Sequence, residues 1–216
     1  MKKKYFNLLL LAFIPFYCFC QQKQTNTSNK NELIVEVLED GKIEDSKYKC
    51  NLFDWQIEIP SDFTITSKER IKQLEDKGYE AIKENSSQGK NISSETNVLI
   101  SFEKEKYNTF VATYETLEGK KKMSFEEYKS FMFKLLEETY SGKGMKFDIV
   151  NNDVKLGKYD FNKIVVHLYH PKTGELFYTQ EIYFTIINNH LYTGAVSYLN
   201  ENLGAILTQN FIKSFK

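Results

Sequence analysis

The run Leu176-Phe177-Tyr178-Thr179-Gln180-Glu181-Ile182-Tyr183-Phe184-Thr185-Ile186-Ile187 is followed by Asn188-Asn189 and then by His190-Leu191-Tyr192-Thr193-Gly194-Ala195-Val196-Ser197-Tyr198-Leu199. Both long runs are rich in β-branched and aromatic residues, which favour the pleated strand. Asparagine tolerates positive φ, so the pair between them suits a two-residue hairpin. Upstream, Pro171-Lys172-Thr173-Gly174 has type I turn chemistry, and Asn162–His170 before it reads as another strand. Phe147–Val154 and the turn Leu156-Gly157-Lys158 complete an antiparallel meander. Tyr169, Phe177, Tyr178, Tyr183, Phe184, Tyr192 and Tyr198 crowd it. Adjacent strand residues point to opposite faces, so Tyr183 and Phe184 put aromatics on both. Either helices cover both faces and these rings are core, or one face is an exposed platform.

Helical signals flank the meander. Ser124 with Glu127 forms a capping box, and Phe125, Tyr128, Phe131, Met132, Leu135 and Leu136 follow with helical spacing. Gly142 and Gly144 end that helix. Asn200 or Asn202 caps a last helix carrying Leu203, Ile206, Leu207, Phe211 and Ile212. An earlier helix spans about Ser67 to Asn85, with Thr66 and Glu69 as its capping pair. Val98–Phe102 and Thr109–Thr116 read as strands joined by a charged turn. Phe53, Trp55, Ile57 and Ile59 alternate with polar residues until Pro60 stops the strand. The order predicts an α+β domain, an antiparallel β-sheet with helices on both faces (an α/β/α sandwich), over residues 47–216. The chain's 216 residues allow one such domain with short appendages.

The appendages are N-terminal. Lys2-Lys3-Lys4 precedes an apolar run, Tyr5 to Phe19, shorter than the roughly 20 residues a bilayer span needs. Residues 1–20 therefore read as an export signal. Residues 21–46 read as a polar tether, in which Leu33–Leu38 forms either a short strand or an ordered end. Two ends of the signal fit. Cys18 and Cys20 occupy the −3 and −1 positions for cleavage before Gln21; alternatively Cys20, or Cys18, is the lipidated first residue of a lipoprotein. Phe19 and Tyr17, which precede those cysteines, are larger than a lipobox favours. With cleavage before Gln21 or lipidation of Cys20, Cys50 is left without an intramolecular disulfide partner, and it reads as a buried small hydrophobe.

The formal charge is zero over the whole chain, but losing Lys2–Lys4 leaves 26 basic residues against 29 acidic, a net −3. Arg70 is the one arginine. Guanidinium is the preferred fork for phosphate and for guanine edges, so nucleic-acid readout is not expected. Lys120–Lys122 reads as a solvated loop.

No catalytic constellation is legible. His167 and His170 are three apart on one strand, hence on opposite faces; with His190 they read as strand and turn residues rather than zinc ligands. There is no G-x-S-x-G, and Ser141-Gly142-Lys143-Gly144 follows a helix, so it reads as a C-cap and not as a phosphate loop. No catalytic, cofactor or metal residue is assigned.

The stretch Phe53-Asp54-Trp55-Gln56-Ile57-Glu58-Ile59-Pro60-Ser61-Asp62-Phe63 resembles the opening of PsbP-like domains. The Tyr-rich hairpin, Leu191–Tyr198 and a helix ending Ile212-Lys213-Ser214-Phe215 resemble their close. The resemblance runs from about Tyr48 to Lys216 in element order. It implies the Mog-type α/β/α sandwich and an accessory or binding role, as in a photosystem extrinsic subunit, a Ran-binding release factor and bacterial envelope lipoproteins. No family site residue maps onto this chain. The expectation is an exported, non-enzymatic binding or accessory protein, located in the periplasm, on the outer membrane or outside the cell. Its partner would be a protein or small ligand of the envelope, and membrane contact would come only through a lipid anchor on Cys20. The alternative is an envelope hydrolase or metal-dependent enzyme with an unrecognised site.

Overall fold

A computed structural model of the chain describes residues 37–38, 40–87, 97–117 and 124–215. Eleven strands and three helices occur among them. In chain order these are β1 (Val37–Leu38), β2 (Gly41–Glu44), β3 (Lys47–Cys50), β4 (Gln56–Glu58), β5 (Thr64–Ile65), α1 (Lys68–Asn85), β6 (Asn97–Lys104) and β7 (Asn108–Thr116). Then come α2 (Phe125–Gly142), β8 (Lys146–Leu156), β9 (Tyr159–Tyr169), β10 (Leu176–Ile187), β11 (His190–Tyr198) and α3 (Glu201–Lys213).

The strands form two antiparallel sheets. One has seven strands in the order β5-β6-β7-β11-β10-β9-β8; the other is the meander β1-β2-β3-β4. The fold is thus α+β, with α1 and α2 on one face of the large sheet and α3 on the other. The small sheet shares α3's face, which the sequence pattern did not anticipate.

Local chemistry explains most boundaries. Asn188 and Asn189 have φ 48 and 62, so the β10–β11 hairpin turns on two left-handed asparagines. Gly157 (φ 55) and Gly174 (φ 73) supply the same freedom at the neighbouring turns. The Ser124–Glu127 capping box is present in full. Asn200 caps α3, its side chain accepting from the amides of Asn202 and Leu203.

Two expectations shift. Ser67, not Thr66, caps α1 by accepting from the Arg70 amide; Thr66 is buried and accepts from the Ser101 hydroxyl at 2.9 Å. Ser67 wins because Thr66 is needed by the sheet, where its amide also bonds to the Ser101 carbonyl. The ordered fold also starts before residue 47, since β1 and β2 fall inside the stretch expected as tether. Ile43 is the reason: it pairs with Tyr48 in register and enters the core. Residues 1–36, including Cys18 and Cys20, lie outside the described residues.

The core has two layers. Between the large sheet and α1/α2 sit Ile82, Met132, Leu135, Leu136, Ile164, Val166, Ile182 and Phe184. On the opposite face the small sheet and α3 close over Tyr48, Trp55, Phe161, Tyr183, Tyr192, Phe211 and Phe215. The period-two pattern of Phe53, Trp55, Ile57 and Ile59 is reproduced in burial, though only Gln56–Glu58 is regular strand. Trp55 Nε1 donates to Ser214 Oγ at 2.8 Å and links the small sheet to the end of α3.

Candidate functional site

Register places the α3-side residues of the meander in rows. One row is Asp148, His167, Thr179 and Tyr198; the next is Val150, Val165, Glu181 and Val196; the third is Asn152, Lys163, Tyr183 and Gly194. Lys146 stands beside Tyr169 at the end. Toward β11 and β7 the face is closed by α3, with Phe211 lying so close to Gly194 that a Cβ there would meet its ring at 2.6 Å. At the far end of the rows the connection between β3 and β4 covers Tyr192 with Phe53 and Trp55. Along β8 and β9 the face stays open: Lys146, Asp148 and Val150 are exposed, and Val165, His167 and Tyr169 are half-buried.

A buried carboxylate organises this shelf. Glu181 lies in the middle of β10 and is 8% exposed. Its Oε2 accepts from Tyr183 at 2.5 Å and pairs with Lys163 Nζ at 2.8 Å; its Oε1 accepts from Tyr198 at 3.3 Å. The Lys163 ammonium also lies 5.0 Å from the centre of the Tyr183 ring. Burial, then the Glu181 charge, pushes the Tyr183 hydroxyl far above its usual range, and the same causes push Tyr198 up to about 12. Both phenols therefore stay protonated and donate. Every oxygen of Glu181 has a donor, which is what a charge in a dry setting requires.

The outer shelf is built from shorter links. Tyr169 donates to Asp148 Oδ2 at 2.6 Å, and Lys146 sits over the Tyr169 ring at 5.4 Å. His167 Nδ1 lies 3.1 Å from Thr179 Oγ1. The result is an amphipathic surface: aliphatic Val150 and Val165 beside an imidazole, a carboxylate and a phenol ring. It offers hydrogen bonds of both kinds.

The three histidines do not converge. His170 lies past the end of β9, where its Nδ1 accepts from the amides of Lys172 and Thr173 at 3.3 Å and holds the turn. His190, at the opposite end of the sheet, points Nδ1 at the Asn188 carbonyl at 2.7 Å, so that nitrogen carries the proton. Its ring packs edge-on against Phe53 and Tyr114. Among the described residues no three of His, Cys, Asp and Glu gather as a metal site. Cys50 is half-buried beside Tyr48. Burial pushes its thiol up, against the Leu52 and Phe53 amides that lower it, so the thiol is protonated at neutral pH.

The meander aromatics divide. Tyr178, Tyr183, Phe184 and Tyr192 are core, whereas Tyr169, Phe177 and Tyr198 are half-buried. The sequence reading missed the Glu181 hub. Its signal was available: a carboxylate inside an apolar strand, with Lys163 inside the neighbouring one. Lys120–Lys122 lies outside the described residues, and Ser141-Gly142-Lys143-Gly144 does end α2, with Lys143 as its cap. No described helix is long and apolar enough to cross a membrane.

No protein-family model matches the chain. No curated protein matches its sequence. Among solved structures it is similar to the solution structure of cyanobacterial PsbP (CyanoP) from Synechocystis, at 8% identity and a TM-score of 0.49, covering 79% of this chain and 90% of that one.

Proposed function

We propose that this chain is an exported, non-enzymatic binding or accessory protein of the bacterial envelope, which meets its partner through the open shelf on β8 and β9. One observation carries the reading: the groups that chemistry would recruit already hold structural bonds. Glu181 is occupied by Lys163, Tyr183 and Tyr198, His170 holds a turn, His190 faces a carbonyl, and Cys50 is kept protonated. What faces outward is an amphipathic surface, and such surfaces serve recognition. The basic and apolar N-terminal run supports export, with cleavage before Gln21 or lipidation of Cys20 as its two outcomes. The motif resemblance of Phe53–Phe63 to PsbP-like domains supports an accessory role.

The test is affinity capture of the tagged protein from its host's envelope, alongside a His167→Ala/Tyr169→Ala variant. A partner recovered with the parent and lost with the variant supports the reading. Recovery of no partner, together with turnover of a small substrate by the purified protein, would overturn it in favour of an envelope enzyme. A Cys20→Ser change that releases the protein from the membrane fraction would select lipidation.

A further inference from the structure

The two edges of the large sheet are built differently. At one edge β5 is two residues long, paired at Thr64–Glu103 and Ile65–Phe102. At the other, β8 runs for 11 residues in unbroken register with β9, from Lys146 opposite Tyr169 to Leu156 opposite Tyr159. It contains no proline and no bulge, two of the devices that commonly blunt an edge. Its four central residues, Val150, Asn151, Asn152 and Asp153, are all exposed. Successive strand residues point to opposite faces, so among the described residues nothing covers either face here, and none stands in the way of a further strand.

Three of the strand's four charged side chains, all but Lys155 near its end, are drawn back over the parent sheet. The Asp153 carboxylate accepts from Asn162 at 2.9 Å and from Lys129 at 3.2 Å; Asp148 accepts from Tyr169, and Lys146 lies over the Tyr169 ring. Val150, Asn151 and Asn152 are uncharged, and the outward backbone groups of the strand are complementary to another strand.

We propose that β8 pairs antiparallel with β8 of a second copy, about a twofold axis at Asn151, joining two seven-stranded sheets into one. Self-pairing suits this sequence. The Asn151 axis aligns all 11 residues of the strand with its mate. On one face it sets Val150 against the partner's Asn152, Asp148 against the partner's Val154 and Lys146 against the partner's Leu156. On the other it sets Ile149 against the partner's Asp153 and Phe147 against the partner's Lys155. No like charges are opposed, whereas an axis at Asp153 would set that residue against itself. The inference goes beyond the binding reading and does not depend on where the protein resides.

Sedimentation equilibrium on the protein as its exporting host processes it tests both state and register. The parent is expected to dimerise reversibly. Val150→Lys/Asn152→Lys opposes two pairs of like charges and should weaken the dimer about tenfold, whereas Val150→Lys/Asn152→Asp opposes unlike charges and should keep or tighten it. Both positions are exposed, so circular dichroism should show the fold unchanged. A monomer at every concentration up to about 1 mM overturns the proposal. So does a dimer that both variants weaken alike or leave alike.

Discussion

Removing one buried oxygen should make this protein more stable. Tyr192 is completely buried, with Phe53, Trp55, Phe161 and Phe215 around it at ring-centre distances of 6.0, 5.3, 6.1 and 5.6 Å. Its hydroxyl has no hydrogen-bond partner among the described residues, and burial pushes it far above the usual tyrosine range. Leaving a hydroxyl buried and unpaired costs about 1–3 kcal/mol. Tyr192→Phe keeps all four ring contacts and deletes the oxygen. Taking the low end for incomplete desolvation in the unfolded chain, the gain is about 1 kcal/mol, or a rise of roughly 2–4 °C in Tm for a chain of this size. Trp55 is the single tryptophan and touches the site, so its fluorescence in a urea titration reports the transition directly. The midpoint should rise at unchanged slope. Tyr192→Ala, which deletes the ring as well, should instead lose about 3–5 kcal/mol. A loss of 1 kcal/mol or more in Tyr192→Phe would refute the reasoning, because it would mean the hydroxyl is well paired in solution.

Three other outcomes are expected. Glu181→Ala strands the Lys163 ammonium and the Tyr183 hydroxyl and should cost about 2–3 kcal/mol by urea denaturation, while Glu181→Gln should cost less. Gly194→Ala drives a methyl to 2.6 Å from the fully buried Phe211 ring and should cost about 1–3 kcal/mol. Half-buried Glu75 on α1 has an oxygen without a partner among the described residues, and burial, opposed by Lys72, pushes its carboxyl from 4.5 up to about 7. The folded state therefore holds a proton that the unfolded chain has already released, so this group's contribution to stability falls as pH rises between those values. Glu75→Gln should flatten that part of the Tm–pH curve and raise Tm at pH above about 7; a parallel curve displaced by a constant would disprove the assignment.

Much of the fold was legible because its signals are local. The β10–β11 hairpin, Leu176–Ile187 and His190–Tyr198 around two asparagines, follows from β-branched and aromatic enrichment and turn chemistry inside one short window. The Ser124–Glu127 box is likewise written into four residues. The α1 cap was misplaced by one residue because Thr66 and Ser67 are equally good caps locally; only the pairing with Ser101 on β6 tells them apart. The candidate shelf was half legible. Its aromatics were evident, but which of them are covered depends on where α3 and the small sheet land.

By itself, then, the sequence determined the three helices, the hairpin turns and the antiparallel meander, because each follows from residues within about one turn or strand of each other. Tertiary structure alone decided that β11 lies beside β7, that Trp55 reaches Ser214 across 159 positions, and that β1–β4 close the α3 face. It also decided that Glu181 sits at the meeting point of Lys163, Tyr183 and Tyr198 and that β8 is left as the open edge. Those outcomes rest on burial of apolar surface between distant segments, a global balance that no local window of the chain contains.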